Sequence, residues 1–259
     1  MAWVLSNIGR VFLDFLATTG RLVLFFFSAL FQGVRPPYYW NQMVRQFWEI
    51  GYLSLPIVGL TALFTGMVLA LQSYTGFSRF NAESAIASVV ALSMTRELGP
   101  VLAGLMVSGR IGAAMAAEIG TMRVTEQLDA LVTLSTNPKN YLIFPRLLAG
   151  VTMLPLLVLV ADTIGIFGGY VVSVHRLGFN QALYLKQTFD FIKTEDVTSG
   201  LIKATAFGFI ITLMGCYHGF NSKGGAQGVG KATTYAVVSS SILILFANYL
   251  LTSLLFETR

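Results

Sequence analysis

Apolar and polar positions alternate along this chain on two scales. Long uncharged runs are separated by short charged stretches, and inside the charged stretches the apolar residues recur at helical spacing. The run 52–71 is twenty residues without a charge, the length a helix needs to cross a bilayer core. Four more mostly apolar runs follow, at 85–117, 147–174, 204–220 and 232–256, so the pattern predicts five crossings. The run 85–117 outreaches the hydrocarbon core at about 1.5 Å per residue, so it must tilt, bend or protrude. Gly99-Pro100 is its expected bend.

Residues 118–134 read EIGTMRVTEQLDALVTL and break the apolar series. Val124, Leu128, Leu131 and Val132 recur at i, i+4, i+7 and i+8, while Arg123, Glu126, Gln127 and Asp129 fill positions between them. That spacing predicts an amphipathic helix, stopped before Asn137-Pro138. It is too polar for the membrane and lies between two crossings. Two readings fit: a solvated connector, or a coupling helix that a separate motor subunit grips.

At the amino-terminal side, 22–31 is a ten-residue uncharged run preceded by Arg10, Asp14 and Arg21. Ten apolar residues beside charge fit a helix lying in the headgroup region better than a crossing, the alternative being a tilted first span. Trp40, Phe47 and Trp48 suit an interfacial belt. The chain thus divides into an interfacial helical segment, 1–48, and a five-span domain, 49–259. No short apolar core with a small-residue cleavage site opens it, so the amino terminus is expected to be retained.

Gly104, Ser108, Gly112, Ala116 and Gly120 form a strip of small residues, which lets two helix backbones approach closely, within the chain or between two copies. Arg96-Glu97 is a charged pair inside an apolar run, and such charges are functional candidates by default. Asp162 is the single charge of 147–174. Residues 175–200 are too polar to cross and long enough for a small surface helix.

Composition agrees with the pattern. Hydrophobic residues make up 55% and charged residues 11%, against roughly 45–50% apolar in soluble domains, so the chain is an all-α integral membrane protein. One cysteine and two histidines leave no disulfide framework and no recognisable metal-ligand spacing. The net charge of +5 is scattered between apolar runs, a distribution that reflects membrane topology and not nucleic-acid binding. With the amino terminus inside, ten lysines and arginines fall on the cytoplasmic side against six outside. The helix 118–134 is then cytoplasmic and the carboxyl terminus periplasmic. Gly225 to Lys231 carries the glycines and lysine of a phosphate-binding loop, but Ala232 stands where a magnesium-holding hydroxyl belongs. It reads as a flexible loop. No glycine-flanked serine has a histidine base, so a lipid hydrolase finds no support. A membrane scaffold that transports nothing remains the competing class.

Several stretches resemble the MlaE family of permeases, which work with MCE-domain proteins. They are TGMVLALQ at 65–72, ALSMTRELGPVLAGLMVSGRIGAAMAAEIGTMRVTEQLDAL at 91–131, Asn137-Pro138 with Pro145-Arg146, and KATTYAV at 231–237. The match runs from about residue 45 to the end and is densest around RELGPV and AEIG. The resemblance implies the inner-membrane permease of an ABC transporter that moves phospholipids between the two membranes of a Gram-negative envelope. It implies a homodimer, each copy held by an ATPase that binds ATP and magnesium, with a STAS-domain protein on the ATPase and an MCE hexamer on the periplasmic side. The permease itself would carry no cofactor and no catalytic residue. Carried over, the lipid cavity would involve Leu69, Gln72, Tyr74, Phe77, Phe80, Arg96, Glu97 and Leu98. The coupling helix would present Glu118, Arg123, Glu126, Gln127 and Asp129 to the ATPase.

Overall fold

A computed structural model describes residues 2–80 and 85–256, and every regular element among them is helical. Among the described residues, six stretches are long and apolar enough to cross a membrane: Phe12–Gly33, Trp40–Phe77, Ile86–Val124, Lys139–His175, Thr194–Phe220 and Gly225–Phe256. Five of them overlap the runs that the sequence pattern marked as crossings. The sixth belongs to α1 (Ala2–Gly33), a continuous helix where the sequence pattern showed only a ten-residue uncharged run. Arg10, Asp14 and Arg21 are exposed on α1. Its anchoring contacts come from its last third. Phe25 is buried against the rings of Tyr217 and Phe220, Ser28 accepts a hydrogen bond from Lys139, and Gly33 lies so close to Phe144 that a Cβ would overlap that ring.

Helix α2 (Trp40–Ile50) turns through Gly51 and a tight turn at Tyr52–Ser54 into α3 (Leu55–Phe77). The return stroke is α4 (Ile86–Ser93), α5 (Gly99–Val107) and α6 (Ala113–Val124), joined by one-turn π-helices at Met94–Leu98 and Ser108–Gly112. Immediately before Gly99-Pro100, where a bend was expected, the helix widens into a π-turn, a feature frequent at functional sites. After α7 (Gln127–Thr133) and a third π-turn, Lys139–Ile143, come α8 (Phe144–His175), α9 (Gln181–Phe191), α10 (Thr194–Phe220) and α11 (Gly225–Phe256).

Lipid offers helices little hydrophobic drive to associate, so close backbone approach must do it. Gly66 of α3 sits against the Gly165 carbonyl of α8, and Gly168 against that of Leu63, leaving no room for a Cβ at either. Gly150 and Gly208 join α8 to α10 in the same way. The small-residue strip packs inside the chain. Gly104 faces Phe207, Ser108 shares a 2.6 Å hydrogen bond with Ser240 of α11, Gly112 and Ala116 meet Gly215 and Gly219 of α10, and Gly120 meets Ser222. Two groups of polar and aromatic residues lie at opposite ends of this packing: Glu118 with Arg146, near Ser222, and Arg96 with Phe256.

Three expectations need correction. The amphipathic helix 118–134 is not one rod: α6 runs through Glu118 to Val124, the chain breaks at Thr125 and Glu126, and α7 is a separate seven-residue helix. Glu126 takes a left-handed conformation, φ 60°, that a helix cannot contain. Helix α10 begins at Thr194, ten residues earlier than its uncharged run, because the charges of Asp196 and Lys203 find partners inside the bundle. The glycine-rich segment from Gly225 is no loop but the opening turns of α11, entered through Gly224 and Gly225 at positive φ.

Candidate functional sites at the two ends of the bundle

The π-turn Met94–Leu98 carries the charged pair and points it at α10 and α11. Proline 100 lacks an N–H, so the Arg96 carbonyl loses its helical donor. The Lys203 ammonium takes its place at 2.8 Å. The same ammonium pairs with Glu97 Oε1 at 2.7 Å, and its side chain is fully buried. Glu97 also accepts hydrogen bonds from Asn248 Nδ2 at 2.8 Å and Thr252 Oγ1 at 3.0 Å, both on α11. Arg96 donates through Nε to Asp196 Oδ1 at 2.7 Å, while Oδ2 of that carboxylate accepts the Lys193 N–H and so caps α10. The Arg96 guanidinium lies 4.6 Å from the Phe256 ring centre. Two cations and two carboxylates thus form a hydrogen-bonded knot in which Lys203 and Asp196 are hidden and the Arg96 and Glu97 side chains stay 38% and 37% exposed. The exposed half can hold a polar group at the edge of an apolar bundle.

The remaining residues expected around a lipid divide into several groups. Leu69, Gln72 and Phe77 line one hollow of about 440 Å³ on the face of α3, with Ser73 and Gly76. Tyr74 turns away from it, its ring 6.0 Å from that of Phe179. Leu98 packs on the hydrophobic core beside the knot. Phe80 closes the turn after α3, and its side chain lies outside the described residues. Within one chain, the hollow and the knot are separate features. Lys203, Asp196, Asn248 and Thr252 were not among the expected site residues. Asp196 and Lys203 end a polar stretch and read as part of it, and Asn248 and Thr252 are uncharged, so none of the four carried a distinct signal.

At the opposite end, Arg146 is 2% exposed and pairs with Glu118 Oε2 at 2.7 Å, while its Nη1 donates to the Leu142 carbonyl at 3.0 Å. This pair ties the base of α6 to the base of α8. Glu118 therefore faces a partner in its own chain. Arg123 and Asp129 pair across the break at Glu126, 3.0 Å apart and both open to water. Glu126 and Gln127 are exposed, Leu128 is buried, and Val132 and Leu134 expose 59% and 74% of their surface. The end presents a charged and apolar knob.

Residues 43–254 match the family described as Permease MlaE. A "Probable ABC transporter permease protein" of Rickettsia felis is 57% identical over 254 residues, covering 98% of both chains. The "Intermembrane phospholipid transport system permease protein MlaE" of Haemophilus influenzae is 35% identical over 253 residues, covering 97% of both. With a bundle of membrane-length helices, a matching family model over most of its length and relatives of full coverage, this chain belongs to the MlaE family of ABC transporter permeases.

Proposed function

We propose that the chain is the permease of a transporter that moves phospholipids between the inner and outer membranes of a Gram-negative cell and so maintains outer-membrane lipid asymmetry. The observation that carries this reading is the half-exposed knot of Arg96 and Glu97 on an otherwise apolar bundle. It stands in a family whose Haemophilus member is named for intermembrane phospholipid transport. A diacyl lipid needs an apolar space for its chains and a few polar groups for its head. Arg96 suits a phosphate, and the hollow of Leu69, Gln72 and Phe77 suits acyl chains. Two copies facing each other would close two shallow hollows into one chamber, which is the reason to infer a homodimer.

In this reading α3, the α4–α6 stroke, α8, α10 and α11 are the five crossings, and α1 lies in the cytoplasmic headgroup region. The Glu118 end is cytoplasmic and the carboxyl terminus periplasmic. An ATP-binding cassette subunit, which holds the ATP and magnesium, grips the knob of Arg123, Glu126, Gln127 and Asp129, where exposed Val132 and Leu134 add apolar contact. Its movement passes through Glu118 and Arg146 into α6 and α8. A STAS-domain protein on the ATPase and an MCE hexamer at the periplasmic end complete the assembly by family resemblance.

Reversing the charge of Arg123 and Glu126 together tests the reading in the reconstituted complex. The ATPase is expected to dissociate, or to hydrolyse ATP without moving lipid. Normal coupled transport by that variant overturns it.

A further inference from the structure

Helix α9 folds back along the bundle, and between it and α8 lies a cavity of about 520 Å³ that neither the knot nor the α3 hollow shares. Its wall is mostly apolar, with Leu159, Ile166 and Leu185 among the lining residues. Two features set it apart. The first is Asp162, 6% exposed, with no hydrogen-bond or ion-pair partner among the described residues and with Oδ1 wholly buried. Its carboxyl packs so tightly on Gly99 that a Cβ there would overlap it. A buried carboxyl without a counter-charge is costly to ionise, and an ionisable group inside a membrane helix is a binding-site candidate by default.

The second feature is a run of aromatic rings on the same wall. Phe167 stacks on Tyr170 at 6.2 Å, Tyr170 meets Tyr184 edge-on at 5.9 Å, and Phe189 stands beside them, 75% exposed. Ring faces next to a carboxylate are the chemistry that recognises an organic ammonium ion. The exposed rings of Phe167 and Phe189 give the cavity an apolar lining that suits a lipophilic ligand. From Leu147, where the apolar run of this crossing begins, to Asp162 the helix rises about 23 Å, which sets the carboxyl within the far leaflet.

We propose that this cavity binds a primary ammonium carried on an apolar tail, with Asp162 as its counter-charge and Tyr170 and Tyr184 as its aromatic wall. Two sources supply that chemistry: the ethanolamine headgroup of a membrane phospholipid, or a soluble amphiphilic amine. The site needs no assumption about what the transporter carries, only that α8 crosses the membrane.

The test uses the full chain in phosphatidylglycerol vesicles and reads the fluorescence that Phe167→Trp adds to the protein. One arm includes phosphatidylethanolamine with brominated chains, the second phosphatidylglycerol with the same chains, and the third dodecylamine. Quenching about threefold stronger by the ethanolamine lipid, lost in Asp162→Asn, identifies a lipid ligand. No headgroup preference, but a fluorescence change on adding dodecylamine that Asp162→Asn abolishes, identifies a soluble amine. Thr163→Phe, which plugs the cavity and keeps the carboxylate, is expected to remove either effect and guards against an Asp162→Asn chain that fails to fold. Equal quenching by both lipids with no response to dodecylamine overturns the proposal. So does a preference that survives both substitutions.

Discussion

Lys203 carries the largest single consequence at the level of one residue. A lysine inside a membrane helix is tolerated only with a partner, and this one has two: the Glu97 carboxylate and the carbonyl that Pro100 leaves without a donor. Replacing it by methionine leaves Glu97 its hydrogen bonds from Asn248 and Thr252 but no counter-charge. The loss is about 3 kcal/mol, at the low end for a broken buried pair because Glu97 keeps some water. The double variant Lys203→Met with Glu97→Gln is expected to recover most of that loss, because no charge is then stranded. Thermal unfolding of the four proteins in detergent checks it, and losses that simply add refute the pairing. Arg96 and Glu97 were legible in the sequence because two adjacent charges stand out in an apolar run. Lys203 was not, since it follows a polar stretch and reads as part of it. Asn248 and Thr252 were silent because uncharged polar residues are common in membrane helices.

At the level of elements, the segment between the second and third long crossings shows where periodicity misleads. The apolar spacing of Val124, Leu128, Leu131 and Val132 is continuous, yet the helix is cut at Thr125 and Glu126. Periodicity records which faces are apolar, and a break that changes direction can preserve it. Leu128 alone of the four is buried, so the two short pieces are held by one anchor and by the Arg123–Asp129 pair across the break. Glu126 at φ 60° is strained for a residue with a Cβ. Glu126→Gly is expected to raise stability by about 1 kcal/mol, read as a higher melting temperature of the isolated permease. If the ATPase grips this knob through the Glu126 carboxylate, the same variant binds it more weakly, so stability and assembly move in opposite directions. A fall in melting temperature contradicts the strain argument.

For the whole molecule, the path of α1 sets whether the chain crosses the membrane five times or six. Length and apolar character admit a crossing over Phe12–Gly33. The packing argues otherwise. Phe25, Ser28 and Gly33 meet Tyr217, Lys139 and Phe144, all at the Glu118 end of the bundle, while residues 16–20 are exposed and Arg10, Asp14 and Arg21 carry charges there. A helix pinned at one end and charged along its free part fits the headgroup layer. The two arrangements differ by a large distance at Arg10. That residue lies 23 positions before Gly33, about 35 Å of helix, enough to carry it to the opposite surface if α1 crosses. A single cysteine at Arg10, with buried Cys216 replaced by alanine, reports the outcome by labelling of sealed vesicles with a membrane-impermeant maleimide. Arg10→Cys is expected to react from the same side as a Lys223→Cys control, and Arg176→Cys from the other. Labelling of position 10 alongside position 176 adds a sixth crossing, moves the amino terminus to the far side, and leaves the Glu118 end where it is.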